Sequence, residues 1–398
     1  MMKAKTLLGT SGSLLLPARS VILVRNSSGQ VQAATPEVLW KKKATMLSTL
    51  ALVGDEYVSW RKIHNLRRIE GPVEFQALNT SRGRVTAGRG SLDFRKPVPG
   101  NMKVIYDEIY PREVSELVDL NIHGRDPFDG ATVQERMIEP DVIFDNTCPE
   151  MRIQRIYSSE SKELKAFLRF CATYVAKMHY KAATDLENGL SILENDQHQL
   201  NSLAKDLQIF APGTRTKIKG KRSMFKMTIN NPSLLHVMQD LCGTSPTAKL
   251  LPSFTFTLAD ADVMEFLRSY IAVGSLENRP EVLEEPVFHG NLLTSSSVLM
   301  LLTQVGLSHL VVVDDSYSRK IRTVSRVLKD LKNTSQARDS RDHLDLEDHP
   351  SRIHGISCFQ SYIRSEASVG YIIEIEDAEA VIHGATGAFM RTVPETSA

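Results

Sequence analysis

The chain has 398 residues, room for one large domain or two to three ordinary ones, and its 42% apolar and 24% charged residues exclude a wholly disordered polymer. No apolar run approaches the roughly 18 residues that a membrane-crossing helix needs, so no membrane partner is expected. The formal charge of +1 conceals blocks of +10 over residues 1–100, −8 over 101–150, +7 over 151–250 and −8 over 251–398. Blocks of this size imply faces of opposite potential, which either hold a polyanion or pair with each other within or between molecules.

Residues 1–36 contain Lys3, Lys5, Arg19 and Arg25 but no acid, the composition of a mitochondrial presequence. The competing interpretation is a hairpin over 20–34, SVILVR and VQAA flanking a turn at Asn26–Gly29. Thr35, Pro36 and Glu37 form a helix-start signal, and the pattern predicts a helix to about residue 52. Residues 58–100 alternate poorly and suggest irregular or hairpin structure. A strand is predicted at 102–110, then a helix from Pro111 containing Val114, Leu117, Val118 and Leu120. Residues 161–209 are the clearest helical territory: Leu164, Phe167, Leu168, Cys171, Tyr174, Val175 and Met178 recur at helical spacing, and a second helix or a continuation carries Leu186, Leu190, Leu193, Leu200 and Leu203. A basic strand or hairpin follows at 214–228, with helices at 232–243 and 258–275. Beyond a linker at 276–290, the pattern gives a helix at about 295–306, a buried strand HLVVV, a basic helix RKIRTVSRVLKDLK, an exposed loop at 333–351 and a strand GYIIEIE. No internal repeat is visible.

The densest chemical signal is TRTKIKGKRSMFKM. Arg215, Lys217, Lys219, Lys221, Arg222 and Lys226 place six cations in twelve residues, and no acid lies between Asp206 and Asp240. Strand alternation would put Arg215, Lys217 and Lys219 on one face, and Phe225 offers a ring for base stacking. A second basic stretch, residues 60–96, holds Trp60, Arg61, Lys62, Arg67, Arg68, Arg82, Arg84 and Arg89 among glycines. Guanidinium forks and backbone N–H groups in such a loop suit phosphate. Solvated hairpins and loops are the plain alternative for both stretches. Asp314 and Asp315 end the strand HLVVV, where α/β enzymes place acids for Mg²⁺ or a ribose, although no glycine-rich phosphate loop accompanies them. The ligand types in DHLDLEDHPSRIHGISC fit no common zinc spacing. GxSxG and HExxH are absent, no catalytic residue is assigned, and no cofactor is expected. The four cysteines, Cys148, Cys171, Cys242 and Cys358, form no CxxC pair and suggest a reducing compartment, with Cys171 as a buried thiol.

Together these patterns predict a mixed α+β fold, predominantly helical and two-lobed, with short strands and hairpins. The expected divisions are an N-terminal arm or hairpin at 1–34, a mixed lobe at 35–150, a helical centre at 151–275, a C-terminal mixed lobe at 276–390 and a loose tail at 391–398. The expected function is non-catalytic: a structural protein binding single-stranded RNA through phosphates in one basic groove, as a nucleocapsid-like homo-oligomer or ribonucleoprotein subunit. Cytoplasm or virion is the expected location, with the mitochondrial matrix as the alternative. Two rival functions remain open, a self-assembling shell or protein-interaction subunit without nucleic acid, and an α/β enzyme using Asp314 and Asp315.

Overall fold

A computed structural model of the chain describes residues 12–53, 57–80, 83–89, 91–92, 114, 116–120, 142–143, 153–154, 156–177, 190–194, 196–221, 224–243, 249–274, 287–305, 309–314, 318–323, 358–384 and 389–394. The N-terminal part supplies β1 (Gly12–Pro17), β2 (Ile22–Arg25), β3 (Val31–Ala34), α1 (Pro36–Lys41), β4 (Ser48–Val53), β5 (Tyr57–Thr80) and β6 (Gly83–Gly88). The short strands β7 (Leu117–Asp119), β8 (Val142–Ile143), β9 (Ile153–Gln154) and β10 (Ile156–Ser158) lead to α2 (Lys162–Lys177), β11 (Leu190–Glu194), α3 (Gln197–Phe210), β12 (Arg215–Lys221), β13 (Met224–Asn230) and α4 (Pro232–Cys242). After a 3-10 turn at Ser253–Thr257 come α5 (Asp260–Gly274), β14 (Val287–Asn291), α6 (Leu292–Gln304), β15 (His309–Asp314) and β16 (Ser318–Thr323). The chain then returns through β17 (Cys358–Ile375), β18 (Ala380–Ile382), β19 (Phe389–Arg391) and β20 (Val393–Pro394).

Ten strands make one antiparallel sheet in the order β19–β18–β4–β5–β17–β1–β20, with β2 on β4, β3 on β2 and β6 on β5. Strands from both ends of the chain therefore share a sheet, and Gly12 pairs with Pro394. The helical module between them is inserted into this sheet. β5 and β17 form its long ladder, from Ile63↔Ile375 to Thr80↔Cys358. The ladder slips between Ala367 and Val369, opposite Gly71 and Pro72. Gly71 sits at φ 119, a region costly for side-chain residues, and Pro72 has no N–H to donate. A bulge absorbs both in the middle of a strand that would otherwise break.

Sheet content of 43% overturns the predominantly helical expectation. The error has local causes. β5 carries Arg61, Lys62, His64, Arg67 and Arg68 at neighbouring positions, which obscures its alternation, and its partner lies almost 300 residues away. The helix from Pro36 is capped as expected, with Thr35 Oγ1 accepting from Val38 N at 3.4 Å, but it stops at Lys41. Lys43 and Met46 then adopt left-handed φ values of 50° and 55°, and β4 follows. A strand at Leu117–Asp119 stands where a helix was expected, and β11 separates α2 from α3. RKIRT belongs to β16 rather than to a basic helix. The hairpin at 20–34 is formed by β2 and β3.

The inserted module shows a repeat that the residues alone conceal. α2, β11, α3, β12 and β13 are followed, after α4, by α5, β14, α6, β15 and β16 in the same order of element types. Both three-stranded sheets are antiparallel and place the first strand beside the third and the third beside the second, β11–β13–β12 and β14–β16–β15. The leading helices of the two units, α2 and α5, pack on each other. Their interface belongs to a core containing Phe167, Phe170, Phe210, Phe266 and Tyr270, joined by Leu23, Val31 and Leu50 of the large sheet. Among the described residues no helix is long and apolar enough to cross a membrane.

Arg169 of α2 clamps this arrangement. Its Nε and Nη2 donate to Asp206 of α3 at 2.9 and 2.5 Å, and its Nη1 donates to Glu265 of α5 at 2.7 Å. The fork onto Asp206, assisted by Glu265, holds the guanidinium charged well above its ordinary range. Arg169→Met would leave two carboxylates without their cation inside a helix interface. Because the side chain is one-third exposed, the expected loss is about 2–4 kcal/mol rather than the full cost of a buried pair. Urea unfolding measures it, and Arg169→Lys should restore only part, since a lysine cannot fork.

Candidate nucleic-acid interface

The basic hairpin predicted at 214–228 is formed, and β11 joins it as a third strand. Register fixes its two faces. Thr216 pairs with Ile229, Ile218 with Met227, and Ile192 with Met227 from the other side. Met227, Ile229, Leu190 and Ile192 are buried, and Ile218 and Phe225 pack against the same core. A period of two then turns Arg215, Lys217 and Lys219 to the opposite side, where all three are exposed together with Lys226 of β13. Thr228 and Ser191 pair beside Lys217, and Leu193, 50% exposed, pairs beside Lys226. The outward face is thus cationic on β12 and largely uncharged on β13 and β11.

Gly220 is required by this packing. A Cβ there would come within 2.1 Å of the Phe225 ring, which lies over the glycine. Phe225 is consequently a core-side residue, not a stacking platform on the cationic face.

Lys219 stands directly opposite Lys226. Such a like-charge pair costs on the order of 0.2–1 kcal/mol unless an anion relieves it. Among the described residues, Arg215, Lys217, Lys219 and Lys226 have no acidic partner. Glu194, the acid of these three strands, faces inward and accepts from Lys177 Nζ of α2 at 2.7 Å. Lysines on the edge strand β12 also deter edge-to-edge pairing, the purely structural role for part of this charge. Lys221 ends β12, and Arg222 lies outside the described residues.

The other basic stretch behaves differently. It lies in the large sheet, not beside β12 in the small one. Arg67 is bound to Glu374 at 2.5 Å, and Arg68 to Glu70 at 2.6 Å with its guanidinium 5.3 Å from the Trp40 ring centroid. Trp60 packs against the core with the Arg25 guanidinium 5.8 Å from its ring centroid. Arg61 is half-buried and engaged, Arg84 is exposed and engaged, Lys62 and Arg89 are exposed, and Arg82 lies outside the described residues. The two stretches thus lie in different sheets, and the rings expected to stack bases pack against the core. Asp314 is followed in the chain by the strand β16, not by a helix. β15 ends at Asp314 in register with Arg319 of β16, and Asp315 lies outside the described residues, as do 101–113 and 333–351.

No protein-family model and no curated protein matches the chain. Solved structures do. The homing endonuclease I-DmoI in complex with DNA and manganese is similar over 43% of this chain and 93% of that one, at 10% identity and a TM-score of 0.30. Its complex with DNA and calcium is similar over 43% and 85%, at 11% and 0.28, and its mesophilic variants over 43% and 93%, at 9% and 0.29. These three are structures of a homing endonuclease. The expectation of a nucleocapsid-like, virion or ribonucleoprotein subunit on single-stranded RNA is corrected on physical grounds: the two basic stretches lie in different sheets, and Trp60 and Phe225 are partly buried against the core instead of offering rings for unstacked bases.

A second polar cluster lies inside the module. Lys249, 4% exposed, donates from Nζ to Tyr174 O at 2.6 Å and sits 4.7 Å from the Tyr174 ring centroid. Burial pushes its ammonium down to about 8, and the nearby Cys242 opposes part of that fall. The unfolded chain would keep the proton to the ordinary value of 10.5. Between these values the unfolded state binds more protons than the native one, so native stability rises with pH. Relative to Lys249→Met, the wild-type protein should gain about 2–3 kcal/mol across that window, read by urea unfolding at a series of pH values.

Proposed function

We propose that this protein binds double-helical DNA through the outward face of β11–β13–β12, chiefly by its phosphates. The observation that carries the proposal is the set of four exposed cations on β12 and β13 without acidic partners among the described residues. Alternate residues of a strand lie about 6.6–6.8 Å apart, so Arg215, Lys217 and Lys219 form a ruled line of charge on a rigid support. A phosphate backbone that meets this line releases its condensed counterions, and the gain grows with each contact. The same anion removes the repulsion between Lys219 and Lys226.

The duplex is favoured over a single strand by what the face lacks and by its shape. Its described residues include no aromatic ring on which an unstacked base could lie. β-Ribbons and β-sheets are an established way of meeting the grooves of a duplex, whose major groove is about 12 Å wide. Thr228, Ser191 and Asn230 then supply hydroxyl and amide groups beside the cations, able to hydrogen-bond phosphates or base edges.

Fluorescence anisotropy with a short duplex, over a range of salt, tests the proposal. Replacing Lys217, Lys219 and Lys226 together by glutamine should flatten the log–log salt slope by about 2 to 3 and lower affinity near 0.1 M salt by about two orders of magnitude. Circular dichroism checks that the fold survives. Affinity and slope equal to those of the wild type would contradict the assignment.

A further inference from the structure

Strand register turns two large apolar side chains out of the β11–β13–β12 sheet. Glu194 and Phe225 stand opposite each other and both face inward, Glu194 toward Lys177 of α2 and Phe225 over Gly220. Their sequence neighbours Leu193 and Met224 must therefore point outward, and they are 50% and 53% exposed. Leu193 pairs with Lys226, and Met224 lies two residues from Lys226 along β13. The two apolar side chains are thus diagonal neighbours across the ladder, about 7–8 Å apart and within reach of each other. A single exposed leucine is ordinary on a protein surface. An adjacent pair beside cations that have no acidic partner among the described residues is an amphipathic surface, suited to a ligand with anionic and apolar groups together.

We propose that Leu193 and Met224 read the C5-methyl groups of thymine in the major groove, as specificity-determining residues of the DNA-binding face. This inference rests on the DNA reading above and adds a base preference to it. A major groove offers anionic phosphates along its rims and thymine methyls among its base edges. With the β12 cations on the phosphates of one rim, the outward side chains of β13 and β11 stand about 5 and 10 Å further across a groove about 12 Å wide. Neither Leu193 nor Met224 can hydrogen-bond a base edge, so what they gain there is removal of apolar surface from water. One methyl-sized group transferred in this way is worth about fourfold in affinity. The methyl is exposed only in the major groove and is missing from uracil, so the same contact favours A·T pairs and favours DNA over RNA.

Fluorescence anisotropy with the full-length protein and two duplexes tests the inference. One duplex alternates dA and dT, and the other has every thymine replaced by deoxyuridine, which removes the methyls and leaves the phosphate charge unchanged. The wild-type protein should bind the deoxyuridine duplex about tenfold more weakly, as expected for two methyl contacts, with the same salt slope. The double variant Leu193→Ser, Met224→Gln should bind both duplexes alike, at the affinity of the wild type for the deoxyuridine duplex. Equal wild-type affinity for the two duplexes with a steep salt slope would overturn the methyl reading and leave the phosphate reading standing. No salt-dependent binding to either duplex would overturn both. Undiminished discrimination by the double variant, or sedimentation showing a dimer of the free protein that the double variant dissolves, would also overturn the inference.

Discussion

Arg169 draws a carboxylate from α3 and another from α5 onto one guanidinium, and this contact binds the two repeated units of the inserted module. α2, the helix that carries it, presents nearly its whole length to neighbours: Leu164, Phe167, Leu168, Cys171 and Tyr174 are buried among α3, α4 and α5. Once α2 is fixed, the sheet β11–β13–β12 has no freedom over which face it turns inward. Met227, Ile229 and Ile192 must meet the core. The strand period then forces Arg215, Lys217 and Lys219 outward, since a slip of one residue would bury the cations and expose the apolar set. The charged face is thus a consequence of the core beneath it.

The contrast between the two basic stretches shows why charge density alone is a poor guide. In the large sheet, arginines on and beside β5 are met by Glu374, Glu70 and the rings of Trp40 and Trp60. Their charge is balanced locally, and their side chains contribute to packing. On β12 and β13 the strands offer a single acid, Glu194, and the core side claims it for Lys177. The surface with unrelieved repulsion is the one to which an external anion adds most.

Much of the inserted module was legible from the sequence because its signals are local. The apolar spacing from Leu164 to Val175 marks α2, Pro232 and Gly243 bracket α4, and alternating cations mark β12. The large sheet was not legible for the same reason. β5 pairs with β17 across most of the chain, and its register depends on a bulge at Gly71 that no local pattern specifies. The repeat escaped because it is one of topology: VFHGN and LSILE share a position, not a composition. The cationic face was half visible. Its charges could be read, but the neutral half supplied by Thr228, Ser191 and Leu193 depends on β11 pairing with β13. Phe225 was misassigned because its side of the strand is decided by its fit over Gly220.

Lysine footprinting in the presence of duplex DNA tests the central claim most directly, because it reports which amines the ligand covers. The account predicts that DNA shields Lys217, Lys219 and Lys226 from an acylating reagent, while Lys41, on α1, and Lys62, on β5, stay as reactive as in the free protein. Undiminished reactivity of the three sheet lysines under saturating DNA, or shielding centred on Lys62, would contradict it.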